Sequence, residues 1–258
     1  MKALRIAASG MMAQQRNTEV VANNLANMNT SGYQRRRTEF SDLIYDKAER
    51  KPSRSSRASK LFPGGIKSGQ GVRMSSVYRV SEQGSLKATS NSFDLAIQGE
   101  GYFQVLLPNG DTAFTRDGAF QLNATGQLVT HDGFAIQPGI IVPQGAIDVT
   151  INASGEVLVS EEVGGEPTNI GTIQIATFAN QGGLEALGDN LFRGTQASGP
   201  ATIDSPSRVG YGSLMQGYLE SSNVDPISEI AALISAQRAY EMNSKVVQAA
   251  DQMMGPAR

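Results

Sequence analysis

Chemistry needs nucleophiles, acids, bases or metal ligands at workable spacings, and this chain of 258 residues offers few. Cysteine is absent, which excludes disulfides, thiolate metal sites and a cysteine nucleophile. His131 is the only histidine, and it stands beside the turn formers Asp132-Gly133, the setting of a solvated loop residue. Carboxylates are then the remaining metal ligands. The pair Glu161-Glu162 borders Gly164-Gly165 in a polar stretch and reads as solvated charge. No Gly-x-Ser-x-Gly elbow and no phosphate loop ending in Gly-Lys-Ser/Thr occurs. Gly99-Glu100-Gly101 is followed by Tyr102-Phe103-Gln104, so a dinucleotide fingerprint lacks its third glycine. No catalytic, metal or cofactor-binding residue and no cofactor is expected. The enzymatic reading left open is polysaccharide hydrolysis by two carboxylates that folding brings together.

Charge narrows the partners. Lys plus Arg number 22 and Asp plus Glu 24, a net charge of −2, which gives no case for nucleic acid and opposes self-association little. Between Asp46 and Gln70 the cations Lys47, Arg50, Lys51, Arg54, Arg57 and Lys60 alternate with Ser and Pro. No aromatic interleaves with them for base stacking, so the segment is expected to be a solvated loop or one ordered by neighbouring subunits. No run of about 18 apolar residues exists to span a membrane. Met1 to Ala13 is mildly apolar, but Ser9-Gly10 interrupts it and Gln14-Gln15-Arg16 follows, so it is read as retained rather than cleaved.

What must be positioned is therefore a surface rather than a catalytic group. Leu4, Ala7, Met11, Gln14, Thr18, Val21, Leu25 and Met28 recur at steps of three and four, and so do Leu233, Ala236, Tyr240, Asn243, Val247, Ala250 and Met254. Each set lies on one face of a helix. The stripes are narrow and polar-interrupted, so each helix needs a partner. The two can pair with each other, while copies from neighbouring chains cover the rest. Asn23, Asn24, Asn27 and Asn29 are unusual in a helix and suggest amide hydrogen bonds between chains that fix register. The helix is expected over about residues 3–28, with Asn27, Asn29 and Gly32 forming its exit turn. Gly32 would take a positive φ there, which Asn tolerates better than a β-branched residue. Asp225 is a suitable N-cap for the last helix and Pro226 its first residue.

The middle of the chain reads as β. Sparse aromatics, no Trp and 28 Gly favour a turn-rich chain with small cores. Short apolar runs alternate with Asn109-Gly110, Asp117-Gly118, Thr125-Gly126 and Asp132-Gly133, as an antiparallel meander requires. Further strands are expected at 147–151, 156–159 and 170–178, with 179–215 returning the chain from the β region. The expected fold is α+β: long terminal helices paired as a coiled-coil-like inner domain, with a central, mostly antiparallel β domain. The expected regions are 1–34 plus 222–258 for helical assembly, 35–80 plus 203–221 as an extended intermediate region, and 81–202 as the outer β domain.

The stretch from Ala8-Ser9-Gly10-Met11 through Asn23-Asn24-Leu25-Ala26-Asn27-Met28-Asn29-Thr30-Ser31-Gly32-Tyr33 resembles the N-terminal signature of bacterial flagellar axial proteins, the rod, hook and hook-associated subunits. Ile234-Ser235-Ala236-Gln237-Arg238-Ala239-Tyr240-Glu241-Met242-Asn243-Ser244-Lys245 is similar to their C-terminal signature, and Phe114-Thr115-Arg116-Asp117-Gly118 to their core. The opening residues and the length are most similar to the distal-rod members. The resemblance implies a drive-shaft subunit whose assembly interface includes the two stripes and Asn24. It implies export by the flagellar type III apparatus without signal cleavage, and residence in a rod crossing the periplasm to the outer membrane. Implied partners are further copies of itself, proximal rod subunits, the hook protein, and the peptidoglycan and outer-membrane ring proteins. The alternatives are another axial subunit, proximal rod or hook, and a secreted β-rich carbohydrate-binding or hydrolytic protein with helical ends.

Overall fold

The computed structural model describes residues 2–43, 46–47, 67–162 and 165–254. Most of the basic segment at 46–70 lies outside these residues, as does the side chain of Met254. The fold is α+β, and the chain divides into two compact units. One comprises Met1–Leu25, Arg36–Tyr78 and Pro226–Arg258; the other comprises Ala26–Arg35 and Arg79–Asp225.

The first unit holds both helices. Helix α1 spans Lys2–Ala26 and ends two residues earlier than its periodicity suggests, because Asn27 accepts from the Thr30 amide at 3.1 Å and turns the chain. Helix α2 spans Pro226–Met254. Pro226 suits a first turn that needs no amide, and Glu229 places negative charge at the helix's positive end. A ribbon of Arg36–Asp42 and Val72–Arg79, and a short antiparallel pair of Asp46–Lys47 with Lys67–Ser68, complete the strands of this region. Among the described residues, the buried apolar side chains of this unit are all small: Ala7, Ala13, Val21, Ala236 and Ala250. Burial of so few methyl groups contributes little, so the unit is weakly cored.

The second unit owns the large core. Its main sheet has nine strands. In spatial order seven of them run Glu185–Gly188, Leu191–Arg193, Thr112–Thr115, Tyr102–Leu106, Ala135–Ile136, Leu128–Thr130 and Phe120–Leu122; Ile175–Thr177 branches from Tyr102–Leu106, and Thr202–Asp204 pairs with Ile175–Thr177. Asp148–Ile151, Glu156–Ser160 and Thr168–Thr172 form an antiparallel three-stranded sheet. Two ribbons pair Leu95–Gln98 with Ser213–Gln216, and Leu86–Ala88 with Tyr218–Glu220. The fully buried side chains Leu95, Ile97, Phe103, Val105, Ile173 and Ile175 belong to one core cluster, while Tyr102, Phe114, Phe178 and Phe192 form a second. Edge-to-face ring contacts, such as Phe103–Phe120 at 5.0 Å, favour one arrangement of this core.

Two expectations about strands change. Residues 170–178 are not one strand; Thr168–Thr172 and Ile175–Thr177 join different sheets, with Ile173 buried at the crossing. Residues 179–215 do more than return the chain, since four strands lie there. Leu191 and Phe192 are both buried, so no alternation marks them. The legible signal was Asp189-Asn190, which both adopt positive φ, 49° and 56°, in the turn that joins two of these strands.

Candidate assembly surfaces

Most residues of the sequence stripes are buried or half-buried. On α1, Ala7, Val21 and Asn24 are buried, while Leu4, Met11, Gln14, Thr18 and Leu25 are half-buried. On α2, Ala236 and Ala250 are buried, Leu233, Asn243 and Val247 half-buried, and Tyr240 exposed. The helices touch where α1 offers least bulk: a Cβ on Gly10 would stand 2.8 Å from Asn243 Nδ2. Ser9 Oγ donates to the Ile6 carbonyl and accepts from the Val72 amide, so α1 also holds the ribbon.

Asn24 is the polar centre of this unit. Its Oδ1 accepts from the Arg36 amide at 2.8 Å, and its Nδ2 donates to the Arg36 carbonyl at 2.8 Å and to Glu229 Oε2 at 3.2 Å. One side chain thus ties α1, the first ribbon strand and the start of α2. Asn24 is only 1% exposed, so its amide fixes register inside its own chain. This differs from the interchain role its sequence setting suggests.

What the sequence reading missed is the opposite face of α2. Ile227, Ile230, Ile234, Met242, Val246 and Met253 are exposed, Ile227 to 79% and Met253 to 77%. Steps of three, four, seven and eight keep most of them on one side, which was the signal available in sequence. Six large apolar groups on one helix form a face that isolated soluble helices seldom expose.

In the second unit the exit turn meets a buried clasp. Gly32 has φ 66°, and its amide donates to the Glu220 carbonyl at 2.8 Å. A Cβ there would stand 2.8 Å from the backbone of Arg116 and of Asp117. Arg116 Nε and Nη2 donate to Glu220 Oε2 at 2.9 and 2.8 Å, and Nη1 donates to the Gly99 and Gly101 carbonyls. The Gly84 amide donates to Glu220 Oε1 at 3.1 Å. Both ionic side chains are more than nine-tenths buried, so their charges need every one of these partners. Of the other turn residues, Asn27 is half-buried and Met28 and Asn29 are exposed.

His131 is 80% exposed and meets Asp132 at 3.3 Å. No group of His, Asp and Glu suited to a metal ion occurs among the described residues, and no described helix is long and apolar enough to cross a membrane. Burial raises the Tyr102 phenol above its ordinary value, which suits a core hydroxyl held by hydrogen bonds to Gln34 and Gln181.

One weakly cored helical unit with an exposed apolar face on α2 and one well-cored β unit together define the class of an axial structural subunit. Residues 4–34 match the family model "Flagella basal body rod protein", residues 96–159 "Flagellar hook protein FlgE/F/G D1 domain", and residues 215–257 "Flagellar basal body rod FlgEFG protein C-terminal". The chain belongs to the flagellar basal-body rod family and is a non-enzymatic structural subunit of the distal rod. It is 56% identical over 254 residues to the flagellar basal-body rod protein FlgG of Caulobacter vibrioides, covering 98% of this chain and 97% of that protein. It is 48% identical to the protein of that name from Agrobacterium fabrum, again covering 98% and 97%. The Bacillus subtilis protein of that name is 35% identical, covering 95% and 94%.

Proposed function

We propose that this subunit carries torque along the rod, and that the exposed face of α2 is the surface on which successive copies stack. The observation that carries this reading is the mismatch within the first unit. Among the described residues its core buries only small apolar side chains, while Ile227, Ile230, Ile234, Met242, Val246 and Met253 remain exposed. Neighbouring copies can cover that face, and a heterologous contact that does not close yields a helical filament. In this reading α1 and α2 pair in a coiled-coil-like manner, with Gly10 opposite Asn243 as a close approach.

The stripe residues and the exit turn at Asn27, Asn29 and Gly32 then shape the subunit so that the α2 face can meet its neighbours. The functional regions are 1–34 plus 222–258 for assembly, 35–80 plus 203–221 as intermediate, and 81–202 as the outer domain. The partners in this reading are proximal rod subunits, the hook protein, ring proteins around the rod and the type III export apparatus, which passes the chain without cleaving it. The test is size in solution against concentration, followed by electron microscopy of basal bodies. Concentration-dependent growth into fibres, lost in Ile234→Asp, is the expected outcome. Normal rods from that variant overturn the proposed face.

A further inference from the structure

The β-rich unit carries an apolar knob and a groove of mixed apolar and polar lining at opposite ends of one strand. The knob is Val209, 102% exposed, in the turn between Thr202–Asp204 and Ser213–Gln216. That turn is firmly held. The Ser207 amide donates to the Gly212 carbonyl at 2.9 Å, Ser207 Oγ to the Ala153 carbonyl at 2.8 Å, and the Tyr211 amide to the Arg208 carbonyl at 3.0 Å. A fixed turn that keeps a valine wholly in water forgoes the gain of burying it.

The groove has a volume of about 490 Å³, and its apolar lining includes Phe93, Leu122, Val142, Pro143, Ala146 and Ile147. Ile147 is 60% exposed, and so is Ile141, whose Cγ2 lies 3.8 Å from where a Cβ on the groove residue Gly126 would stand. Strand Ser213–Gln216 fixes the relation of knob to groove. At its start, Leu214 donates to the Ala153 carbonyl, which also anchors the knob's turn. At its end, Gln216 Nε2 donates to the carbonyls of Ser92 and Val149, both of the groove. Four strand residues separate the two ends, about 13 Å of chain at ~3.3 Å each.

Charge matches as well. Arg208 flanks the knob and is held only by a surface pair with Asp204 at 3.1 Å, which is easily exchanged. Asp148 lines the groove and is exposed, and no salt bridge among the described residues engages it.

We propose that Val209 of one copy seats in the groove of the next copy, with Arg208 against Asp148. The inference rests on the reading that copies of this chain polymerise, and it assigns the β-rich unit a head-to-tail contact of its own. Knob and groove are different surfaces, so the contact is heterologous, the kind that extends into a filament when its rotation does not close.

The chain has no cysteine, so a paired substitution gives a background-free test. Val209→Cys with Ile147→Cys, as the sole copy of the chain in a flagellated host, should give a ladder of covalent oligomers when isolated rods are oxidised. Each single variant should give none, because two copies of one surface never meet. A bridge requires Cα atoms within about 7 Å. Normal rods from the paired variant with no ladder overturn this contact and leave the rod reading intact. A wild-type chain that stays monomeric at every concentration overturns both. An independent arm uses Arg208→Asp and Asp148→Arg. Each alone should cut the number of complete rods several-fold, and the two together should restore it; failure of restoration overturns the pairing.

Discussion

Gly32 shows how a single position combines two constraints. Its φ of 66° disfavours side chains, by about 1–2 kcal/mol for left-handed geometry. Its predicted Cβ position is also 2.8 Å from backbone atoms of Arg116 and Asp117, and backbone cannot swing aside. The sequence suggests that Asn would be tolerated better than a β-branched residue. The contact adds a penalty that any Cβ meets, so Gly32→Asn and Gly32→Val should both lower the melting midpoint of the β-rich unit and both give defective rods. Circular dichroism melts read the first and electron microscopy the second; an Asn variant that melts like the parent would contradict the close contact. Asp117, beside it, makes a pH prediction. Burial holds its carboxyl above the ordinary range, opposed by a hydrogen bond from the Ala119 amide. A group whose pKa rises on folding stabilises the fold below its unfolded value, and that contribution is lost as pH rises through the folded value. Asp117→Asn keeps an acceptor for Ala119. It should therefore raise the melting midpoint at pH 7 relative to the parent, and the gain should shrink toward pH 3.5. An equal gain at both values would show that the charge is not the cause.

Among elements, α2 separates into two faces with different tasks. Leu233 is half-buried within its own unit, and Ile234 is exposed beside it. Leu233→Asp should weaken the helical unit by roughly 2 kcal/mol through burial of a polar group and hasten protease trimming of the ends. Ile234→Asp should leave trimming unchanged yet stop rod growth. Identical behaviour of the two variants in both assays would remove the distinction between the faces. Periodicity made the inward stripes of both helices legible, because small residues at Ala7, Ala236 and Ala250 repeat at helical steps. It left the outward face unnoticed, since Ile227, Ile230 and Ile234 are followed by charged Arg238, Glu241 and Lys245 that mask a stripe. In the β region, glycine turns marked the hairpins; Gly110, for instance, has φ 87°. The strands at 185–193 were hidden because Leu191 and Phe192 are both buried, and Phe192 pairs with the distant Phe114. The Arg116–Glu220 clasp joins residues separated by 104 positions, a distance no local pattern encodes.

For the molecule as a whole, cohesion is uneven. Among the described residues, large aliphatic and aromatic side chains fill the β-rich unit, whereas alanines and one valine fill the helical one. Local opening should therefore begin at the helices. In dilute solution, limited proteolysis should trim roughly the first 30 and last 35 residues while a β-rich fragment persists. Equal resistance of ends and middle would contradict this ordering. After assembly the same ends should become resistant, as stacking of neighbouring copies on the exposed face of α2 requires.

The hydrogen bond between Asn24 and Glu229 joins residues 205 positions apart. Contacts so remote in sequence close late, after the entropy of the intervening loop has been overcome. A nascent or partly delivered chain therefore holds α1 without its partner, and the helical unit cannot mature until the second helix arrives. A product truncated before Pro226 has neither Glu229 nor Ile234, so it lacks both the internal tie and the stacking face. If successive copies stack as proposed, a prematurely terminated subunit should fail to join the growing end rather than cap it, a check on chain completeness built into the order of the sequence.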